Sequence, residues 1–278
     1  MSGHLTEKVI IITGAASGFG ALIAEKCAAG GARVVGVDVN EAGLGAVIDG
    51  IRAAGGQALA IGADVTDLAQ MRDVATQTVA EFGAVDVIVN NAGVMPLAFF
   101  ADHERAADRW HRAIDINIKG VLNGISAVYD QMIEQGRGHV VNISSIYGNA
   151  GVAGSGVYSA TKAAVNALSD SLRIETKGRI KVTTVRPTGV AGTNLASWIV
   201  NGAAIFGMVG QRAAQYAEHT KQMVAGTLPD ELTDPDSVEY WLITPDELAD
   251  AVVHVIDQPW GISLSDVTVR ASGEDYLY

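Results

Sequence analysis

Val9-Ile10-Ile11-Ile12-Thr13-Gly14-Ala15-Ala16-Ser17-Gly18-Phe19-Gly20 is the stretch on which the architecture turns. From Lys8 to Thr13 the chain is apolar, branched and too short for a helix, which predicts a strand buried on both faces. Glycines follow at 14, 18 and 20, and an alanine-rich helical pattern then runs to about Ala29. A strand that ends in glycines and opens a helix makes an anion site. The first backbone N–H groups of the helix lack internal partners, and its dipole puts positive charge at the same end.

Outward from this unit, Arg33 to Asp38 reads as a second strand that ends in an acid, 24 residues beyond Gly14. A dinucleotide-binding unit places there the carboxylate that takes the adenosine ribose hydroxyls. Val39 and Asn40 follow, with no arginine to accept a 2′-phosphate, so the expected cofactor is NAD rather than NADP. A helix from Glu41 to Ala54, a strand from Gln57 to Ala63 that ends at Asp64-Val65, a helix from Asp67 to Phe82 and a strand from Val85 to Val89 continue the alternation. That rhythm predicts an α/β fold with a doubly wound parallel sheet and ligands at the carboxyl ends of its strands.

From Glu104 to about Glu134 an amphipathic pattern carries Trp110, Ile114, Ile118, Val121, Ile125, Val128 and Met132 as an apolar stripe, with Asn117 beside it. An amide there must find partners or cost stability, which fits a structural hydrogen bond and a site residue equally. His139 to Ile143 is a fifth strand that delivers Ser144 and Ser145 to the ligand edge. Tyr158 and Lys162 then stand four apart at the start of a helix that continues to about Thr176, so the phenol and the ammonium share a face. A nearby ammonium favours the phenolate and suits Tyr158 to proton transfer. The spacing by itself fits a surface tyrosine beside a solvated lysine better, since Tyr-x-x-x-Lys carries little information.

Ile180 to Val185 is a sixth strand that ends Arg186-Pro187-Thr188-Gly189, and Asp266 to Arg270 a seventh. Between them, residues 194–243 break the rhythm with apolar clusters and prolines, as a lid would. Thr244-Pro245-Asp246-Glu247 then starts a helix that ends near Gln258. No repeat or linker divides residues 1–278, and one Rossmann-type domain of seven strands with a lid insertion is expected.

Composition narrows the function classes. Of 278 residues 49% are hydrophobic and 18% charged, with mean hydropathy +0.23, as in a folded globular chain. A net charge of −12 argues against nucleic acid, anionic membranes and an acidic carrier protein as partners. Cys27 alone excludes an internal disulfide and reads as a buried, inert thiol. The six histidines show no metal-ligand spacing. With no leader pattern and no run of 18 apolar residues, a soluble cytoplasmic protein is expected.

Three stretches together resemble the short-chain dehydrogenase/reductase family: its Thr-Gly-x-x-x-Gly-x-Gly at Thr13 to Gly20, its Asn-Asn-Ala-Gly at Asn90 to Gly93 and its Tyr-x-x-x-Lys at Tyr158 to Lys162. The resemblance runs from Lys8 to about Ser272. It implies hydride transfer between a secondary alcohol and a nicotinamide, with Tyr158 as general acid or base and Lys162 lowering its pKa and holding the nicotinamide ribose. The family's serine thirteen before its tyrosine is Ser145, which would bind the substrate oxygen. Asn117, in the family's Asn-x-x-Gly, would hold a water leading to Lys162. Gly14, Ser17 and Phe19 would line the pyrophosphate, Asp38 would take the adenosine ribose, and Asp64 and Val65 would frame the adenine. Asn91, Ala92 and Gly93 would lie along the adjacent ribose, Pro187 and Val190 at the nicotinamide and Thr193 at its carboxamide. The chain departs from the family at Pro187-Thr188-Gly189, where Pro-Gly is usual, and has Thr161 where a serine usually precedes the lysine.

A homo-oligomer, dimer or tetramer, is implied through the helices at 104–134 and 156–177. Trp198, Phe206 and Met208 in the lid suggest an apolar or cyclic substrate. The alternatives are a silent nucleotide-sensing or scaffold protein and an NADP-linked 3-oxoacyl thioester reductase, the latter opposed by Asp38 and by the net charge.

Overall fold

In the computed structural model, which describes residues 3–190, 192 and 194–277, the run Val9–Thr13 (β1) is buried throughout. It pairs in parallel with Arg33–Asp38 (β2) on one side and Val87–Asn90 (β4) on the other. Gln57–Gly62 (β3) lies outside β2, and Gly138–Ile143 (β5), Ile180–Pro187 (β6) and Asp266–Val269 (β7) extend the other side. All pairings are parallel, in the order β3-β2-β1-β4-β5-β6-β7. The chain winds outward one way from β1 and then the other way from β4. A crevice opens at that switch point, beyond the strands' carboxyl ends.

Alternation along β1 sorts its side chains between two cores. Ile10 and Ile12 pack with Ile23 and Cys27 of Gly18–Ala29 (α1), Leu44 and Ile48 of Glu41–Ala53 (α2) and Val252 and Ile256 of Pro245–Ile256 (α10). Ile11 faces the other way, toward Met71 and Val74 of Leu68–Phe82 (α3), Val128 and Met132 of Gly120–Glu134 (α5) and Val165 of Gly156–Glu175 (α6). Cys27 is fully buried, and burial pushes its thiol up to about 12, which keeps it inert. α10 starts as its sequence suggests, with Thr244 and Glu247 in a reciprocal capping box and Pro245 in the first turn.

The amphipathic stretch expected as one helix is two. His103–Ile114 (α4) and α5 are joined by a π-helical turn, Asp115–Lys119. The wider turn shifts the phase of the buried face, so the expected stripe is only half right. Val121, Ile125, Val128 and Met132 are buried, but N-terminal to the turn Ala106 and Ala113 take the inward positions and Ile114 is exposed, and within the turn Asn117 is the buried residue. Mid-helix π turns accompany functional sites often enough to draw the eye to Asn117.

Residues 194–243 fold into Ile205–Val209 (α7), Ala213–Ala225 (α8), Asp230–Thr233 (α9) and short 3₁₀ turns. They are fastened to the sheet body near Leu97, whose carbonyl accepts from Val200 and Asn201 N–H, both at 3.0 Å. The Asn201 amide reaches Asp102 at 2.8 Å. Among the described residues no helix is long and apolar enough to cross a membrane.

Candidate active site

The glycines of the opening stretch are there for space as well as for shape. Gly14 has φ +69, and a Cβ on it would stand 2.9 Å from Asn91 Nδ2 and 3.0 Å from Ala92 Cα. Thr13 Oγ1 accepts the N–H groups of Asn91 (3.0 Å) and Ala92 (3.1 Å), and Asn91 Nδ2 donates to Thr13 O at 2.8 Å. The ends of β1 and β4 are thereby locked together under the N-terminus of α1. A Cβ on Gly20 would fall 2.2 Å from Gly14 O, so the first turn of α1 sits directly on the loop.

A cavity of about 340 Å³ opens above this cradle. It collects eleven of the expected site residues: Gly14, Ser17, Phe19, Asp38, Asp64, Val65, Asn91, Ala92, Gly93, Tyr158 and Lys162. The Asp38 carboxylate is held at the end of β2 by N–H groups from Ala16 (3.0 Å) and Asn40 (2.9 Å), beside an exposed Val39. Burial works against ionisation of Asp64, but the Arg112 guanidinium at 2.9 Å and the Thr66 hydroxyl and N–H hold its pKa below the usual carboxylate value. Asn194 Nδ2 reaches across to Ser17 Oγ at 3.3 Å, so the 194–243 segment touches the glycine loop. A backbone cradle with no room for a Cβ, a helix N-terminus and a carboxylate one strand away fit a dinucleotide.

A second cavity, about 90 Å³, adjoins the first at Tyr158 and is lined by Ser145, Val190 and, among others, Met95, Met208 and Tyr276. The two serines part here. Ser144 Oγ is spent on α6, its one proton shared between Lys162 O (3.1 Å) and Asn166 Oδ1 (2.7 Å), whereas Ser145 lines the cavity and hydrogen-bonds Tyr158. Lys162 Nζ lies 5.9 Å from the Tyr158 ring centroid and donates to Ile143 O at 2.8 Å.

Burial pushes the Tyr158 phenol up to about 12, the Ser145 hydrogen bond opposing it, and pushes Lys162 down to about 8. In the chain alone burial sets the direction of the phenol's shift, and the Ser145 hydrogen bond is what opposes it.

Asn117 lies behind the cavity wall and is buried. Its Oδ1 accepts from Val94 N–H at 2.9 Å, and its Nδ2 donates to Val94 O (2.9 Å) and Thr161 Oγ1 (3.0 Å). These bonds tie the loop after β4 to α6. Pro187 is buried at the end of β6, in register with Val269, and lines neither cavity. Thr193 lies outside the described residues. Among the described residues no group of three His, Cys, Asp or Glu could hold a metal ion.

The family model for short chain dehydrogenases matches residues 8–204. The chain belongs to that family. It is an oxidoreductase of short-chain dehydrogenase type, and its relatives vary widely in size and name. It is 31% identical to the glycine betaine reductase ATRR of Emericella nidulans over 98% of its own length, but spans only 19% of that much longer protein. It is 38% identical, over 68% of its length and 76% of the relative, to the 2,5-dichloro-2,5-cyclohexadiene-1,4-diol dehydrogenase LinX of Sphingobium indicum. An actinorhodin polyketide ketoreductase variant crystallised with NADPH superposes with a TM-score of 0.76 at 27% identity, covering 96% of this chain and 97% of that one.

Sequence reasoning missed the aromatic side of the dehydrogenase's second cavity. Tyr147 follows Ser145 in an unremarked Ile-Tyr-Gly, and Tyr276 comes from the chain's far end. Neither belongs to a spaced motif, so only the fold could bring them to Ser145.

Proposed function

We propose that this short-chain dehydrogenase is an NAD(H)-dependent enzyme of one Rossmann-type domain that interconverts a secondary alcohol and a ketone, with an uncharged, apolar or cyclic substrate held under a lid formed by residues 194–243. The observation that carries the reading is the position of Tyr158 on the shared wall of two cavities, one shaped for a dinucleotide and the other apolar. No charged side chain is among the described residues lining the second cavity. Its two further phenols are kept neutral by burial, and Tyr147 donates its proton to Met208 O at 2.6 Å. Such walls offer nothing to grip a carboxylate or phosphate. The relative LinX is named for a cyclic diol, which agrees with this substrate class.

In this reading Gly14, Ser17 and Phe19 hold the pyrophosphate, Asp38 the adenosine ribose, and Asp64 and Val65 the adenine. Asn91, Ala92, Gly93 and Lys162 hold the second ribose, and Val190 flanks the nicotinamide. The bound cofactor supplies or removes the hydride at the carbinol carbon. In reduction Tyr158 gives its proton to the carbonyl oxygen as charge develops there, while the Ser145 hydroxyl donates a hydrogen bond to the same oxygen. In oxidation the Tyr158 phenolate takes the alcohol proton. Lys162 stabilises that phenolate, and Asn117 keeps the Val94 loop and α6 in the positions the proton transfer needs. A cytoplasmic homo-oligomer with no nucleic-acid partner completes the proposal. Exposed Ile114 and Leu122 on α4 and α5 and Ile174 on α6 supply apolar surface for subunit contact.

A panel of neutral ketones graded in size, assayed with NADH and with NADPH, tests this. Cyclic and apolar ketones should turn over, with NADH preferred about tenfold or more, because the Asp38 carboxylate repels a 2′-phosphate and a factor of ten needs only about 1.4 kcal/mol. Turnover restricted to small charged substrates would sink the apolar-site reading, and a preference for NADPH would remove Asp38's assigned role.

A further inference from the structure

After β7 the chain turns back over the second cavity, and Tyr276 becomes part of its wall. Its ring meets those of Tyr147 and Tyr216 edge-on, at centroid distances of 6.3 and 5.7 Å, and its hydroxyl lies 3.1 Å from that of Tyr216. Features on separate elements converge on this one side chain.

One is Gly189. A Cβ there would stand 2.1 Å from Tyr276 Cε2 and 2.8 Å from Leu242 Cδ2. Gly189 does not have a positive φ, so the glycine is there to admit the ring and not to make a left-handed turn. Here the departure from the family's Pro-Gly acquires a physical sense. Thr188 continues the pairing of β6 with β7, its N–H donating to Val269 O at 3.1 Å, and the glycine then falls one place further on, beneath Tyr276.

The other is the anchoring on both sides of the ring. Asp275 is buried and accepts from Trp241 Nε1 at 2.8 Å, with His219 Nδ1 at 3.5 Å from the same carboxylate oxygen. Buried Glu274 is paired with Arg270, and its carbonyl accepts from Arg212 at 2.7 Å. Leu277 N–H donates to Met208 O at 3.1 Å. Two carboxylates buried within two residues are costly unless each keeps its partners, so these contacts specify one position for the segment.

We infer that Tyr276 is a specificity-determining residue. Residues 274–277 form a strap across the lid, and the ring they carry, seated on Gly189, limits the size of substrate that can reach Ser145 and Tyr158. The inference rests on the alcohol–ketone reading above, deepens it by naming what bounds the substrate, and calls for a test that separates the two.

The test takes the largest and smallest ketones of the panel that the parent reduces and measures the ratio of their kcat/KM values in Tyr276→Ala, Tyr276→Phe, Gly189→Ala and the Gly189→Ala/Tyr276→Ala double variant. Removing the ring should raise the large-to-small ratio about tenfold or more, while phenylalanine should leave it within about twofold, since a few carbon atoms of pocket volume are worth that much. Gly189→Ala should lower the ratio by driving the ring into the cavity, and the double variant should behave like Tyr276→Ala because nothing is left to clash. NADH binding, read by its fluorescence, should be unchanged in the Tyr276 variants, whose ring lies outside the dinucleotide cavity. An unchanged ratio in a Tyr276→Ala protein that still binds NADH overturns the inference alone. Should that variant not fold, Gly189→Ala decides, and a ratio equal to the parent's overturns it equally. If the parent reduces no ketone in the panel, the alcohol–ketone reading fails and takes this inference with it.

Discussion

Tyr158→Phe is expected to lower kcat about a thousandfold while leaving NADH affinity nearly unchanged, a loss within the range of a positioned proton donor combined with an oriented hydrogen bond. The substitution removes one oxygen from a ring whose packing against Leu97, Ile146 and Met208 is otherwise kept, so folding is not in question. It also removes the hydroxyl that Ser145 bonds, leaving Ser145 alone at the substrate oxygen. Pre-steady-state reduction with bound NADH is the measurement of choice, because it separates the chemical step from product release. Unchanged turnover would mean that the chemistry lies elsewhere, and a parent that binds the cofactor without any turnover would favour the scaffold reading.

The pH dependence follows from the same pair. Reduction needs the phenol protonated, and with burial holding Tyr158 at about 12 and Lys162 at about 8 that condition is met throughout the neutral range. Reduction should therefore be flat near neutrality and decline on the alkaline side, once Lys162 begins to lose its charge. Oxidation needs the phenolate and should climb over the same interval, with apparent pKa values that belong to the coupled pair. The positive charge of an oxidised nicotinamide would favour the phenolate and move the oxidation limb toward neutrality, so the limb should shift when measured for the binary complex with NAD rather than for the free protein.

Much of this was legible because backbone requirements leave marks in sequence. A strand that must be covered on both faces shows as Val-Ile-Ile-Ile, and a loop with no room for a Cβ shows as glycine, so β1, its cradle and the acid ending β2 could all be read directly. Ser145 could be separated from Ser144 only through the family resemblance, and the structure supplies the physical difference, since Ser144 is consumed by Lys162 O and Asn166. Three things could not be read. The π turn at Asp115–Lys119 adds a residue to one helical turn without breaking the apolar pattern, so the stripe looked continuous and Ile114 was placed inside. The phenol's raised pKa comes from the closing of the site around it, which spacing does not report. Tyr276 meets Gly189 through two loops distant in sequence, and an isolated tyrosine near a chain end carries no periodic signal.

Asn117 is where those two kinds of information meet, and Asn117→Leu should be the most damaging exchange that touches neither ligand cavity. The side chain is nearly isosteric, so the cost comes from polar groups. Val94 N–H and Val94 O lose their partners in a buried place, at about 1–3 kcal/mol each, whereas Thr161 keeps its bond to Tyr158 O at 2.7 Å. A total of about 2–6 kcal/mol should lower the melting temperature by about 4–24 °C in a chain of this size. Function should fall further than stability does. A Cβ on Gly93 would stand 3.4 Å from Asn117 Oδ1 and 3.6 Å from Lys162 Nζ, so the amide, the lysine and the wall of the dinucleotide cavity share one small region. Slack in the Val94 loop should thus weaken NADH binding and misplace Lys162 together. Asn117→Asp separates the contributions: its carboxylate can still accept from Val94 N–H but leaves Val94 O without a donor, so it should recover part of the stability and little of the activity. Both variants are to be assayed well below their melting temperatures for NADH affinity and kcat. If stability falls while affinity and kcat stay at the parent's values, Asn117 is a structural pin alone, and the π turn that presents it has no part in positioning Tyr158 and Lys162.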